Sequence, residues 1–110
     1  MGASKSEQFT TEQNDISRLF KALGHPARIA IIQHLMNTKS CICNDLVGIL
    51  PLSQATISQH LRELKDAGII KGTIEGTSVC YCLNSSVFET MINTLEEFKD
   101  LDERNSKECC

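Results

Sequence analysis

Between Ser53 and Leu83 the spacing of apolar residues switches from helical to alternating, and Gly68 stands at the joint. Upstream of it, Ile57, Leu61 and Leu64 recur at the three- and four-residue steps that line one face of a helix. Ser53 is a good N-cap for that helix and Gly68 a stop signal after Ala67. Downstream, Ile69-Ile70, then Thr73 to Ser78 around Glu75-Gly76, then Val79, Tyr81 and Leu83 in alternation read as a β-hairpin. A helix that runs straight into a two-stranded hairpin leaves few architectures open.

The flanking sequence narrows them further. Ile16, Leu19, Phe20 and Leu23 have helical spacing, Gly24 ends that helix, and Pro26 suits the first turn of the next. Ile29, Ile31, Ile32 and Leu35 predict a short, largely buried second helix, followed by a polar turn from Asn37 to Ser40. A brief third helix is expected from about Asn44 to Leu50, set off from the next by Pro51. Val87, Phe88, Met91, Ile92, Leu95 and Phe98 mark a long amphipathic last helix. About five helices and one hairpin make an α+β domain that is mostly α. Two short helices joined by a tight turn at Pro51-Leu52 and followed by a hairpin match a winged helix-turn-helix. Residues 1–8 are expected to be a disordered tail, 9–101 the winged domain, and 102–110 a flexible acidic tail ending in cysteine.

Charge alone does not point to nucleic acid, because the net charge is −3. Its distribution matters more. Up to Asn84 there are eight Lys/Arg against seven Asp/Glu, and after it three against seven, so the acidity is concentrated at the C-terminal end. No apolar run approaches the roughly 20 residues of a membrane span, and the polar start resembles no targeting signal. A soluble, cytoplasmic protein with no membrane partner is expected. With no Trp and 5% aromatic residues the core must be aliphatic, and a chain this small often gains stability by dimerising. No P-loop, C-x-x-C or Ser/His/Asp arrangement is visible, so neither an enzyme nor an organic cofactor is expected.

The helix from Ser53 is the candidate reader of DNA. Opposite its apolar face lie Ala55, Gln59 and Arg62, flanked by Thr56, Ser58 and Glu63. Gln pairs well with adenine edges and Arg with guanine, while Ala and Thr methyls pack on thymine. Ser53, Gln54 and Lys65 suit phosphate contacts, as does the helix N-terminus. Any amphipathic helix has a solvated face, but this one is rich in short uncharged hydrogen-bond formers rather than the usual Glu/Lys mixture.

The segment Leu52-Ser-Gln-Ala-Thr-Ile-Ser-Gln-His-Leu-Arg-Glu-Leu-Lys-Asp-Ala-Gly-Ile-Ile70 strongly resembles the recognition helix and turn of the ArsR (ArsR/SmtB) family of repressors. Phe20-Lys-Ala-Leu-Gly-His-Pro-Ala-Arg-Ile-Ala-Ile-Ile32 resembles that family's "ALxxPxRxxIL" segment, and Glu75-Gly76 with Val79-Cys80-Tyr81-Cys82-Leu83 its wing. The resemblance covers about Ile16 to Leu95. It implies a homodimer, joined through its first and last helices, that binds double-stranded operator DNA and represses a resistance or homeostasis operon. The stripe Val87/Met91/Leu95/Phe98, with Phe88 and Ile92, independently calls for a partner. Family wings often carry Arg beside the "EG" turn. Here Lys71 is the basic residue nearby, so a modest wing contribution and a shallow salt dependence are expected.

Six cysteines fall in three close pairs, Cys41/Cys43, Cys80/Cys82 and Cys109/Cys110. In a reducing compartment they read as metal ligands or redox-active thiols, and soft thiolates select soft ions. The resemblance implies that Cys41-Ile42-Cys43 carries thiolates, since a family "CVCDL" segment there binds arsenite, cadmium or lead. This chain has Asn44 inserted before Asp45-Leu46 and no further Cys near Val47. Positions two apart on a helix face opposite ways, so the pair must lie in an unwound helix start or in the preceding turn. A third thiolate is expected from Cys109 or Cys110. Cys80 and Cys82 alternate on a strand and read as small buried hydrophobes, with a second thiolate site as the alternative. The expected inducer is trivalent arsenic, with Cd(II) or Pb(II) as alternatives. The rival is a repressor that senses oxidant or persulfide through its cysteine pairs.

Overall fold

A computed structural model describes residues 5–37, 42–43, 50–75 and 78–105. A short 3-10 turn, Lys5–Gln8, leads into helix α1 (Thr11–Leu23), followed by α2 (Pro26–Asn37) and a two-residue strand β1 (Ile42–Cys43). Helix α3 (Gln54–Asp66), strands β2 (Ile70–Glu75) and β3 (Ser78–Leu83), and helix α4 (Ser85–Arg104) complete the order. The brief helix expected near Asn44–Leu50 lies outside the described residues but for Leu50.

Local chemistry sets most of these boundaries. Thr10 and Gln13 form a reciprocal capping box at the start of α1, each side chain accepting the other's backbone N–H at 3.0 Å. Gly24 closes α1 with its N–H on the Lys21 carbonyl at 3.3 Å. Pro26 opens α2, and the His25 imidazole Nδ1 accepts the Ala27 N–H at 3.0 Å, occupying a donor that the first helical turn would leave free.

The end of α3 is a Schellman motif. The Gly68 N–H donates to the Lys65 carbonyl at 2.9 Å and the Ile69 N–H to the Leu64 carbonyl at 3.0 Å. Gly68 has φ +83°, the left-handed region that glycine enters without a Cβ penalty. Leu64 and Ile69, at the two ends of this turn, are completely buried. The chain thus leaves α3 and enters β2 inside the core.

The sheet has three strands rather than the expected two, in the order β1-β3-β2, all antiparallel. Ile70 pairs with Leu83 at the base of the hairpin and Glu75 with Ser78 at its tip. Ile42 pairs with Tyr81 and Cys43 with Cys80 on the other edge of β3. Cys41-Ile42-Cys43 was expected to form an unwound helix start or the turn before the third helix. Its last two residues are instead strand, because β3 offers them a free row of backbone partners and no helical bond is needed there.

The core lies between α2, α3 and the sheet and is aliphatic as expected: Ile31, Ile32, Leu35, Ile57, Leu61, Leu64, Ile69 and Ile70. Each such side chain contributes about 1.5–3 kcal/mol on burial. Helix α4 is divided. Its first turns pack inward through Val87, Phe88 and the buried Met91, while Ile92, Leu95, Phe98 and Leu101 are each about half exposed. Asn84 fixes where α4 begins, its backbone N–H on the Ile69 carbonyl at 2.9 Å and its Nδ2 on the Gly68 carbonyl at 3.0 Å.

Candidate nucleic-acid interface

Helix α3 is held by one face and free on the other. Ile57, His60, Leu61 and Leu64 are buried, which is a continuous stripe at helical spacing. The residues assigned from sequence to DNA, Ser53, Gln54, Ala55, Thr56, Ser58, Gln59, Arg62, Lys65 and Lys71, are all exposed. Seven of them belong to α3, Ser53 precedes it and Lys71 stands on β2.

Three of these side chains have intramolecular tasks, of which the sequence revealed the Ser53 cap and not the other two. Ser53 Oγ caps α3, accepting the Thr56 N–H at 3.3 Å and lying 3.0 Å from Thr56 Oγ1. Gln59 Nε2 donates to Glu63 Oε1 at 3.0 Å, a helical i,i+4 pair, so this side chain is held beside an anion. Lys65 lies over strand β2, where a Cβ on Gly72 would come within 3.4 Å of Lys65 Cε and Nζ and 3.3 Å of the Tyr81 ring. The ammonium of Lys65 is therefore carried at the root of the hairpin, against Gly72. Glycine at 72 makes room for it.

His60 is the buried polar residue of the helix, 8% exposed. Arg28 Nε donates to His60 Nδ1 at 3.1 Å, and Arg28 Nη1 donates to the Ala22 carbonyl at 2.9 Å. Because guanidinium can only donate, His60 Nδ1 carries no proton. Burial first, then the neighbouring charges of His25 and Arg28, hold the His60 imidazole below the usual histidine range. The His25 and His60 rings sit 4.5 Å apart at 49°. One arginine thus ties the end of α1, the start of α2 and α3 together. Sequence reasoning had left His60 unassigned, although its position between Ile57 and Leu61/Leu64 marks it as inward-facing.

Of the thiols, Cys41, Cys109 and Cys110 lie outside the described residues, while Cys43 stands in β1 opposite Cys80. Cys80 is 2% exposed and Cys82 half-buried. Both are disulfide-bonded. Cys80 therefore has the burial expected of a small hydrophobe but also takes part in sulfur chemistry. Among the described residues, no three His, Cys, Asp or Glu side chains gather as a metal centre, and no helix is long and apolar enough to cross a membrane.

Residues 25–71 match the family model for bacterial regulatory proteins of the arsR family. The chain is 42% identical over 65 residues to the HTH-type transcriptional repressor SmtB of Mycobacterium tuberculosis, a match covering 59% of this chain and 47% of that protein. It thus spans about half the length of that relative. It is 34% identical over 92 residues to a Staphylococcus aureus homologue of the cadmium resistance transcriptional regulatory protein CadC, covering 81% and 75% of the two chains. Among solved structures, an ArsR-like transcriptional regulator from Rhodococcus superposes with TM-score 0.74 at 22% identity, over 86% of this chain and 89% of that one. The cadmium sensor CmtR of Mycobacterium tuberculosis gives TM-score 0.52 at 34% identity, over 62% and 69%. The winged fold, the free polar face of α3 and these similarities together establish that the chain belongs to the ArsR family of bacterial regulatory proteins.

Proposed function

We propose that the chain is a dimeric repressor that places α3 in the major groove of a palindromic operator and leaves it when cysteine thiolates take up a soft ion. One observation carries the DNA half of this reading. The Gln/Thr/Ser/Arg side of α3 is wholly exposed while the helix is anchored from behind by Ile57, His60, Leu61 and Leu64. Base-edge contacts would come from Ala55, Thr56, Ser58, Gln59 and Arg62. Ser53, Gln54, Lys65 and Lys71 would serve the phosphate backbone. The dimer half is supported by Ile92, Leu95, Phe98 and Leu101, an exposed apolar row on α4.

The ion half is supported by similarity to a cadmium resistance regulatory protein homologue and to a cadmium metal-sensor, and by the thiol content of this chain. Trivalent arsenic is the inducer we favour, with Cd(II) and Pb(II) as alternatives. Cys41 and Cys43 supply the first thiolates, and a C-terminal thiol, Cys109 or Cys110, could complete the set. The disulfide bonding of Cys80 and Cys82 favours a second reading, in which an oxidant or persulfide closes thiol pairs and dissociates the complex. The test is fluorescence anisotropy of the reduced protein on its own upstream DNA, titrated separately with arsenite, Cd(II), Pb(II) and a persulfide donor. Release by the ions supports the first reading. Release by the persulfide donor alone replaces it with the second. No binding by folded protein at low salt removes both.

A further inference from the structure

Arg28 faces two ways. Its Nε and Nη1 hold the His60 Nδ1 and the Ala22 carbonyl, and the same half-buried side chain lines a cavity of about 650 Å³ between α1, the start of α2 and the last turn of α3. That volume lies within the roughly 300–1,000 Å³ of small-molecule sites. Ala22 and Ala67 contribute only methyl groups to its lining. The charged groups are sorted by wall. Arg18 and Lys21 of α1 join Arg28 of α2 on one side, and Glu63 and Asp66 of α3 stand on the other. The last turn of a helix already favours a cation through its dipole, so the α3 wall is negative for two reasons. Among the described residues no ion pair joins the two walls, and Glu63 Oε1 is engaged with Gln59 of its own helix. A guanidinium has five N–H donors, so Arg28 keeps donors beyond the two bonds that tie it to His60 and Ala22.

From this arrangement we propose that the cavity binds a zwitterion of tripeptide length, with its carboxylate on Arg18, Lys21 and Arg28 and its ammonium on Glu63 and Asp66. The length follows from size. A sphere of this volume is about 11 Å across, and three extended residues reach at most about 10–11 Å. A free α-amino acid carries both charges on one carbon and cannot meet both walls. A plain anion would satisfy the cations but lie against two uncompensated carboxylates, which selects against it. Occupancy reaches α3 at two points, its last turn through Glu63 and Asp66 and its buried face through Arg28 and His60. Soft-ion uptake by thiols and this site share no residue, so either can fail without the other.

The test titrates the full chain, labelled with 15N and kept reduced at fixed pH and ionic strength, with triglycine. Amide and imidazole shifts are followed by nuclear magnetic resonance up to about 10 mM ligand, which is tenfold above a weak, millimolar Kd. Three comparison ligands are N-acetyl-triglycine, which lacks the ammonium, triglycine amide, which lacks the carboxylate, and glycine, which is too short. The expected result is saturable shifts at Lys21, Ala22, Arg28, Asp66, Ala67 and the His60 imidazole with triglycine, and about tenfold weaker binding of the other three. Two variants then assign the ends. Arg18→Gln should weaken triglycine about fivefold and leave triglycine amide unchanged, while Asp66→Asn should weaken triglycine about fivefold and leave N-acetyl-triglycine unchanged. Both side chains are exposed, and circular dichroism checks that each variant keeps its fold. Absence of saturable shifts with triglycine overturns the proposal and leaves these charges as a solvated surface. Binding of N-acetyl-triglycine as tight as that of triglycine also overturns it, in favour of a simple anion site.

Discussion

His60 shows what a single buried imidazole can do to the helix that carries it. Its proton-free Nδ1 receives Arg28, so protonation must break that bond and place a second cation beside a guanidinium. With the folded value lowered from the usual 6.5, the unfolded chain takes up the proton first as pH falls. Stability is then fully retained above about 6.5 and lost below it, towards the folded value. Urea midpoints measured from pH 7.5 to 5.5 should accordingly fall more steeply for the wild type than for His60→Asn, which keeps an acceptor but cannot titrate. Glu63 offers a second expectation. Its carboxylate holds Gln59 at 3.0 Å on the exposed face that we propose meets DNA, and a charge at about 4 Å in water is worth about 1 kcal/mol. Glu63→Gln should tighten DNA binding by about fivefold at low salt, and anisotropy showing weaker binding would contradict the assignment of this face. The inward position of His60 was legible from its spacing. Its partner was not, because Arg28 is 32 positions away and no local pattern links the two.

Helices α1, α2 and α3 were readable because Gly24, Pro26, Ser53 and Gly68 sit where the chain turns, and α4 because of its apolar period. Gly68→Ala makes that dependence measurable. A Cβ at φ +83° costs about 1–2 kcal/mol, while the space around it is open apart from Val87 at 3.9 Å. The loss should appear in denaturant midpoints with the unfolding slope unchanged. Strand β1 could not be read in the same way. Two residues have no period, and Ile42-Cys43 becomes strand only because β3 lies alongside. The thiol arrangement was hidden for the same reason, since cross-strand register is a tertiary fact. Cysteine pairs that look separate in the sequence, Cys41/Cys43 and Cys80/Cys82, belong to adjacent strands at least through Cys43.

Taken whole, the molecule packs only the first turns of α4 into its own core. The sequence suggested one apolar stripe for a partner. The structure assigns Val87, Phe88 and Met91 inward and leaves Ile92, Leu95, Phe98 and Leu101 uncovered, because the small core is already closed by the first turns of the helix. A Leu95→Glu/Phe98→Glu variant should therefore keep its fold by circular dichroism yet sediment as a monomer, losing about 1.5–3 kcal/mol of association per apolar side chain. A variant that stays dimeric would place the partner surface elsewhere. Asn84 adds a geometric corollary. Its two bonds rivet the root of α4 to the turn that terminates α3, so a pair of molecules joined along α4 would carry two rigid prongs rather than two tethered ones. Inserting one base pair between half-sites rotates the second by about 35°, since a turn of duplex holds about 10.5 base pairs. With no slack at Asn84 to follow that rotation, the pair should grip only one half-site at a time.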